Sequence, residues 1–238
     1  MNRLIAIGDI HGQRIMLDDL LSQIEPTDLD LIVFLGDYID RGPDSKGVID
    51  DLIDFKLFYP QTIFLRGNHE QMFLDALIDC GIRIGERLSD VSPKWVKEIS
   101  RYSDATMFKL NGGEQTLKSY GAELVMDFPG FTLLGEIPSD HIEFLEQTQM
   151  CFEHEHFVFV HAGINPLLPL EQQQYTLLWD RDLEASPSGK TVIIGHTPCP
   201  DGAPLIADDL IMLDTGAAYD GPLTAMDVLS GQVWQAKP

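Results

Sequence analysis

Leu31-Ile32-Val33-Phe34-Leu35-Gly36-Asp37-Tyr38-Ile39-Asp40-Arg41-Gly42 carries the reading of this chain: five consecutive apolar residues, a glycine, then two aspartates and an arginine before a second glycine. A short apolar run with β-branched members reads as a buried strand, and the glycines mark where the backbone turns sharply or lets a ligand approach. The arrangement recurs. Leu4-Ile5-Ala6-Ile7 precedes Gly8-Asp9-Ile10-His11-Gly12, and Thr62-Ile63-Phe64-Leu65 precedes Gly67-Asn68-His69-Glu70. Phe157-Val158-Phe159-Val160 leads into His161-Ala162-Gly163, and Val192-Ile193-Ile194 into Gly195-His196-Thr197.

Between the first three runs the period changes to that of helices. Leu17, Leu20, Leu21 and Ile24 fall on one face, closed by Pro26; Val48, Ile49, Leu52 and Ile53 fall on another, with Ser45 as the expected N-cap. Met72, Phe73, Ala76 and Leu77 give a third helix that Gly81 would end. A β-α-β-α-β order predicts an α/β fold with parallel strands flanked by helices. Residues 82–150 differ, with helical patches and the Asn111-Gly112-Gly113 turn, and read as a mostly helical insertion or cap within a single 1–238 domain. Further strands are expected at Leu210–Leu213 and Leu223–Val228.

In open α/β sheets ligands bind beyond the carboxyl ends of the strands, where all five polar clusters lie. Any one of them could be a capped turn or a salt-bridged loop. Five together place Asp9, His11, Asp37, Asn68, His161 and His196 on one rim. Two carboxylates, an amide oxygen and three imidazoles suit Mn²⁺, Fe or Zn²⁺ better than Ca²⁺, and the lack of cysteine argues against a structural zinc. Six protein donors are too many for one open catalytic ion. They fit two ions sharing a carboxylate, a geometry (~3.5–4 Å between ions) that clamps the oxygens of an in-line displacement at phosphorus.

On these blocks the chain resembles the phosphoprotein phosphatase family of calcineurin-like metallophosphoesterases, from Asp9 to His196. It is most similar to the short bacterial serine/threonine protein phosphatases. Glu70-Gln71-Met72, Asn111-Gly112-Gly113, Leu178-Trp179-Asp180-Arg181 and Asp214-Thr215-Gly216-Ala217 carry that closer likeness. The resemblance implies a calcineurin-like fold with a layered β-sheet core flanked by helices. It also implies two metals, Mn²⁺ first with Fe or Zn²⁺ as alternatives. Asp9 and His11 would be ligands of the first, Asp37 the bridging carboxylate, and Asn68, His161 and His196 ligands of the second. His69 would be the general acid, Asp40 its orienting partner, and Arg41, Arg181 and Asn68 the contacts to the phosphate. The implied reaction is hydrolysis of phosphoserine and phosphothreonine in proteins, with phosphotyrosine a further option, by direct attack of a metal-bound hydroxide. A symmetrical dinucleoside tetraphosphate hydrolase is the alternative, although that group commonly carries Asp where Glu70 stands. A catalytically silent binding module is disfavoured because every matched ligand and His69 is intact.

Composition bounds the rest. Lys and Arg total 16 against 38 Asp and Glu, a formal charge of −22, which argues against nucleic acid and anionic membranes as partners and leaves a phosphorylated protein or peptide. No apolar run reaches the length of a membrane span, and Asp9 comes too early for a signal peptide, so a cytoplasmic location is expected. Cys80, Cys151 and Cys199 lack metal-type spacing and read as reduced thiols. Arg66 is expected in a structural ion pair, His141 at a helix start, and His154 and His156 at the surface; Tyr219 is a candidate for the edge of the cleft.

Overall fold

The computed structural model describes residues 2–83, 103–127, 130–181 and 189–238. Two five-stranded mixed sheets form its centre. In the first, β1 (Leu4–Ile7), β2 (Leu31–Phe34) and β3 (Ile63–Phe64) run parallel, β11 (Leu223–Asp227) pairs antiparallel with β1, and β12 (Gln232–Ala236) pairs antiparallel with β11 at the edge. In the second, β7 (Phe157–Val160), β8 (Thr191–Ile194) and β10 (Leu210–Met212) are parallel, edged by antiparallel β6 (Cys151–His154) and β9 (Leu205–Ile206).

The period-2 geometry of a strand explains why these runs are apolar without alternation. Leu4, Ala6, Val33 and Leu35 point into a core shared with Phe159, Ile193 and Ile211, between the two sheets. Their neighbours Ile5, Ile7, Ile32 and Phe34 point the other way, against helices α1 (Arg14–Ile24), α2 (Ser45–Phe58) and α3 (Asn68–Asp79). Val158, Val160, Val192, Ile194 and Met212 cover the outer face of the second sheet and meet Leu177. Each fully buried Leu, Ile or Phe contributes ~1.5–3 kcal/mol, so this sorting onto two faces, rather than helix propensity, fixes the layers.

The helical periods lie where the sequence puts them. Met16, Leu17, Leu20 and Ile24 are buried, while Leu21 only packs partly against the core. Gly81 lies just beyond the third helix in the left-handed conformation (φ +68°). One expectation is corrected: the N-cap of α2 is Asp44, whose carboxylate accepts the Gly47 N–H at 2.9 Å, and Ser45 is the first helical residue. The Asp44 carboxylate takes the cap, and the Ser45 hydroxyl turns inward to the Asp40 N–H.

Within 82–150 the described residues form α4 (Asp104–Phe108), α5 (Glu114–Ser119), a hairpin of β4 (Glu123–Asp127) and β5 (Gly130–Leu134), and α6 (Ser139–Glu146). The remainder of that expectation, at 84–102 and 128–129, lies outside the described residues. Gly112 (φ +103°) breaks the path between α4 and α5, consistent with a turn at Asn111-Gly112-Gly113. A short helix, α7 (Gln174–Trp179), leads to Arg181.

Candidate active site

All five polar clusters sit at the carboxyl ends of β1, β2, β3, β7 and β8. Backbone hydrogen bonds draw them together. Ile10 and His11 both donate their N–H to Asp37 O (3.0 and 2.8 Å), and Gly12 donates to Tyr38 O (2.8 Å). Within the second sheet Gly195 N donates to His161 O (2.9 Å), and across the sheets His196 N donates to the Asp9 carboxylate (3.0 Å to Oδ2). A Cβ on Gly195 would run into that carboxylate, which is why the position needs glycine. His11, Asp37, Asp40, Arg41 and His196 all adopt positive φ, between +48° and +73°. Such conformations cost non-glycine residues ~1–3 kcal/mol each and persist only where surrounding bonds over-determine them.

The main restraint is Glu70. From the first turn of α3 its carboxylate accepts the N–H groups of Asp37 (2.8 Å), Tyr38 (2.8 Å), Ile39 (3.3 Å) and Gly67 (2.9 Å). One buried side chain therefore fixes the β2 and β3 loops relative to each other. Burial and the neighbouring Asp37 charge push this carboxyl up to about 7, while the backbone donors oppose the shift.

Four imidazoles meet at the rim, and their environments divide them. Burial lowers the pKa of His11, of His161 and of His196, the last to about 3. Burial would lower His69 too, but the Asp37 charge and the hydrogen bond to Asp40 outweigh it and raise the value. At neutral pH the first three offer lone pairs, and His69 holds its proton more firmly. His161 Nδ1 donates to Leu35 O (2.8 Å), so its Nε2 carries no proton. That lone pair nevertheless faces Asn68 Oδ1 at 3.0 Å and Asp37 Oδ1 at 3.4 Å. His196 Nδ1 also lies 3.0 Å from Asn68 Oδ1, and its buried Nε2 has no partner. Acceptors converging on acceptors in a dry site call for a cation. Among the described residues two groups of side chains have ligand spacing, Asp37 with His161 and His196, and Asp37 with His11 and His69. Asp37 belongs to both. These donors fit divalent metal ions.

Asp9 is in neither group. Its carboxylate lies on the His196 N–H, and burial with the charges of Asp214 and Asp37 pushes its pKa well up. Against burial, the surrounding imidazoles hold Asp37 well below the ordinary carboxylate range. His69 Nδ1 meets Asp40 Oδ2 at 2.7 Å in a fully buried pair, leaving Nε2 toward the cleft, 3.9 Å from Asp37 Oδ2. Arg41 reaches His11 Nε2 (2.7 Å) with its guanidinium 5.3 Å from the centre of the Tyr219 ring. A cavity of ≈ 110 Å³ opens here, lined by Asp37, Arg41, Asn68, His69, Asn111, Trp179, Arg181, His196, Pro198 and Tyr219.

The structure thus brings Asp37, Arg41, Asn68, His69, Arg181 and His196 to one cavity, with His11, Asp40 and His161 bonded directly behind it. Arg66 is structural, but through hydrogen bonds to Thr148, Gln71 and the carbonyls of Leu145 and Glu146 rather than the expected ion pair; these neutral acceptors satisfy all three of its nitrogens. His141, in the first turn of α6, bonds Tyr120 (2.9 Å) and Asp50 (3.0 Å). The clamp made by Glu70 lies beyond the sequence expectations, although a glutamate three residues after Gly67 is the capping-box spacing that puts a carboxylate over free N–H groups. Asn111 and Trp179 also line the cavity; the sequence marks both stretches through the family likeness without giving either residue a role. Tyr219 does border it.

A family model described as calcineurin-like phosphoesterase matches residues 2–221. A 72-residue stretch is 44% identical to serine/threonine-protein phosphatase PP1-delta of Caenorhabditis elegans, covering 28% of this chain and 22% of that protein. The match therefore spans less than a quarter of that relative's length. Among solved structures, the crystal structure of a "putative diadenosine tetraphosphatase" aligns with a TM-score of 0.60 at 22% identity, covering 99% of this chain and 93% of the other. A protein serine/threonine phosphatase from Saccharomyces cerevisiae with similarity to human phosphatase PP5 aligns at 0.58 and 14% identity, covering 99% and 80%. At these identities the two structures share the fold. No helix among the described residues is long and apolar enough to cross a membrane.

Proposed function

The chain belongs to the calcineurin-like phosphoesterase family, and from that premise we propose that it is a dinuclear phosphatase that hydrolyses phosphoserine and phosphothreonine monoesters in proteins. The carrying observation is the His69–Asp40 pair beside Arg41, at a site where two groups of ligand spacing share Asp37 and His69 stands at the edge of one of them. Asp37 would bridge the ions, with Asp9 and His11 on one side and Asn68, His161 and His196 on the other; Mn²⁺ suits this donor set. Bound there, two divalent ions would neutralise charge on the phosphoryl oxygens and acidify a water.

The chain's own groups supply the rest. Arg41 and Arg181 would grip phosphate oxygens, and the planar guanidinium fork matches their geometry. Asn68 would add its amide N–H to the same group. Asp40 fixes the His69 tautomer with the proton on Nδ1 and raises the basicity of the ring. Protonated His69 then presents its Nε2–H to the leaving alkoxide, a contribution of typically ~10²–10⁴-fold. The free thiols Cys80, Cys151 and Cys199 do not line the cavity, so water rather than a cysteine is the nucleophile in this reading.

Two observations favour a protein substrate over the second reading, a symmetrical dinucleoside tetraphosphate hydrolase. The cavity of ≈ 110 Å³ holds a phosphate and little more, leaving the remainder of the substrate on the open surface. A net charge of −22 opposes the approach of a four-phosphate dinucleotide. The diadenosine tetraphosphatase neighbour shares the fold and leaves that second reading open to measurement. Turnover of a phosphoserine and phosphothreonine peptide panel and of diadenosine tetraphosphate, with Mn²⁺, tests it. Faster kcat/KM on the peptides is expected; preference for the dinucleotide overturns the assignment.

A further inference from the structure

Asp40 has two carboxylate oxygens, and only Oδ2 is engaged by His69. The other, Oδ1, accepts the hydroxyl of Thr116 at 2.5 Å. With its proton committed there, Thr116 Oγ1 also accepts the Asp40 N–H at 2.8 Å and the Ser45 hydroxyl at 3.0 Å. Ser45 Oγ shares the Asp40 N–H at 3.0 Å. One side chain thus holds Asp40 at both its backbone and its carboxylate, and all three residues are fully buried. Thr116 stands on α5, 76 residues from Asp40, and the same stretch touches Arg41, whose N–H donates to Gly112 O at 3.2 Å.

We propose that Thr116 is a positioning residue for catalysis, with Ser45 behind it: its hydroxyl locks the rotation of the Asp40 carboxylate, which in turn aims His69 Nε2 at the leaving oxygen. Asp40 has positive φ (+73°) and is fully buried, so without that hydroxyl Oδ1 loses its donor and the carboxylate turns to seek another. The loss falls on proton delivery rather than on phosphate binding, because the hydrogen bonds of the Thr116 hydroxyl go to Asp40 and Ser45. This inference rests on the reading of His69 as general acid, and the test separates the two.

Thr116→Val removes the hydroxyl and keeps the shape. With the Mn²⁺-loaded enzyme, kcat on phenyl phosphate, whose leaving group needs protonation, is expected to fall ~10–100-fold, the usual scale for an outer-shell partner. On 2,4-dinitrophenyl phosphate, whose leaving group needs little help, the fall is expected to stay below about threefold, with KM unchanged on both esters. Thr116→Ser restores the hydroxyl and the rate. His69→Asn is the reference for selective loss. If His69→Asn is selective but Thr116→Val is neutral or slows both esters equally, the positioning role is overturned and the acid stands. If His69→Asn is itself unselective, the acid assignment falls and this inference with it. Should Thr116→Val fail to fold, Ser45→Ala carries the test: a smaller loss of the same selectivity supports the relay, and an unselective result overturns it.

Discussion

The two sheets contribute unequally to the rim. The first ends in Asp9, His11, Asp37, Asp40, Arg41, Asn68 and His69, whereas strands β7 and β8 of the second bring His161 and His196. The reason lies in the segment that each strand enters. β1, β2 and β3 are each followed by one of the helices α1, α2 and α3, and free N–H groups at a helix start are ready partners for carboxylates. Asp37 accepts the N–H of His69 at 3.1 Å in the first turn of α3, and Glu70 takes four more amides nearby. β7 and β8 run into loops with short 3₁₀ turns, at Leu170–Gln172 and Pro200–Gly202. Those ends supply imidazoles, which burial keeps neutral. The acids thus sit where backbone donors stabilise them, and the neutral donors close the site from across the sheet boundary.

The most damaging way to break this asymmetry is at Asp37, the residue both ligand groups share. Asp37→Asn is expected to lose metal from both sides and to cost more than the roughly 10–100-fold typical of an outer partner. His196→Gln touches one group only. Metal analysis of the two proteins distinguishes them: near-complete loss in the first and about one equivalent in the second, by the shared-ligand geometry. Equal stoichiometry in both would refute the bridging role.

Glu70 tests whether the first sheet's loops need their clamp. Glu70→Gln keeps the volume but turns an NH₂ toward backbone donors, leaving buried N–H groups unpaired at ~1–3 kcal/mol each. Denaturant unfolding should show that loss, and kcat should fall even where the protein remains folded, because Asp37 and Asn68 lose their fixed spacing. An unchanged unfolding midpoint would show that the clamp is dispensable.

The smallest effect on chemistry is expected at the opposite end of the first sheet. Asp30 accepts from Arg3 (2.6 and 3.0 Å) and from Thr27, and although burial alone would raise its pKa, those bonds hold it below the ordinary 3.8. A depressed carboxylate stabilises the fold fully above its unfolded value, and the benefit disappears as pH falls through the native value. Asp30→Asn should therefore cost ~1–2 kcal/mol at neutral pH with kcat unchanged, and the gap to wild type should close below about pH 4. A gap that widens on acidification would contradict the ion pair.

Much of this architecture is legible along the chain. Apolar runs leading into glycine, acid and histidine locate the strand ends, and Leu17, Leu20 and Ile24 give the first helix face. The N-cap of α2 falls one residue from its expected place because Asp44 and Ser45 are both good caps, and only the inward demand of Asp40 for a hydroxyl decides between them. At Arg66 the sequence suggests a structural ion pair because the residue precedes Asn68 within the turn. The carbonyl acceptors it uses belong to a turn some 80 residues away.

The amino-acid order alone determined which chemical groups would stand at the strand ends, since strand period and turn residues are local properties written within a few positions. Packing decided that Asp37 falls within both groups of ligand spacing, that one imidazole of the four has its pKa raised while burial lowers the others, and that Thr116 grips Asp40. Those outcomes depend on burial and on distances between segments far apart in the chain. Such quantities exist only once the two sheets and α5 have closed around the rim.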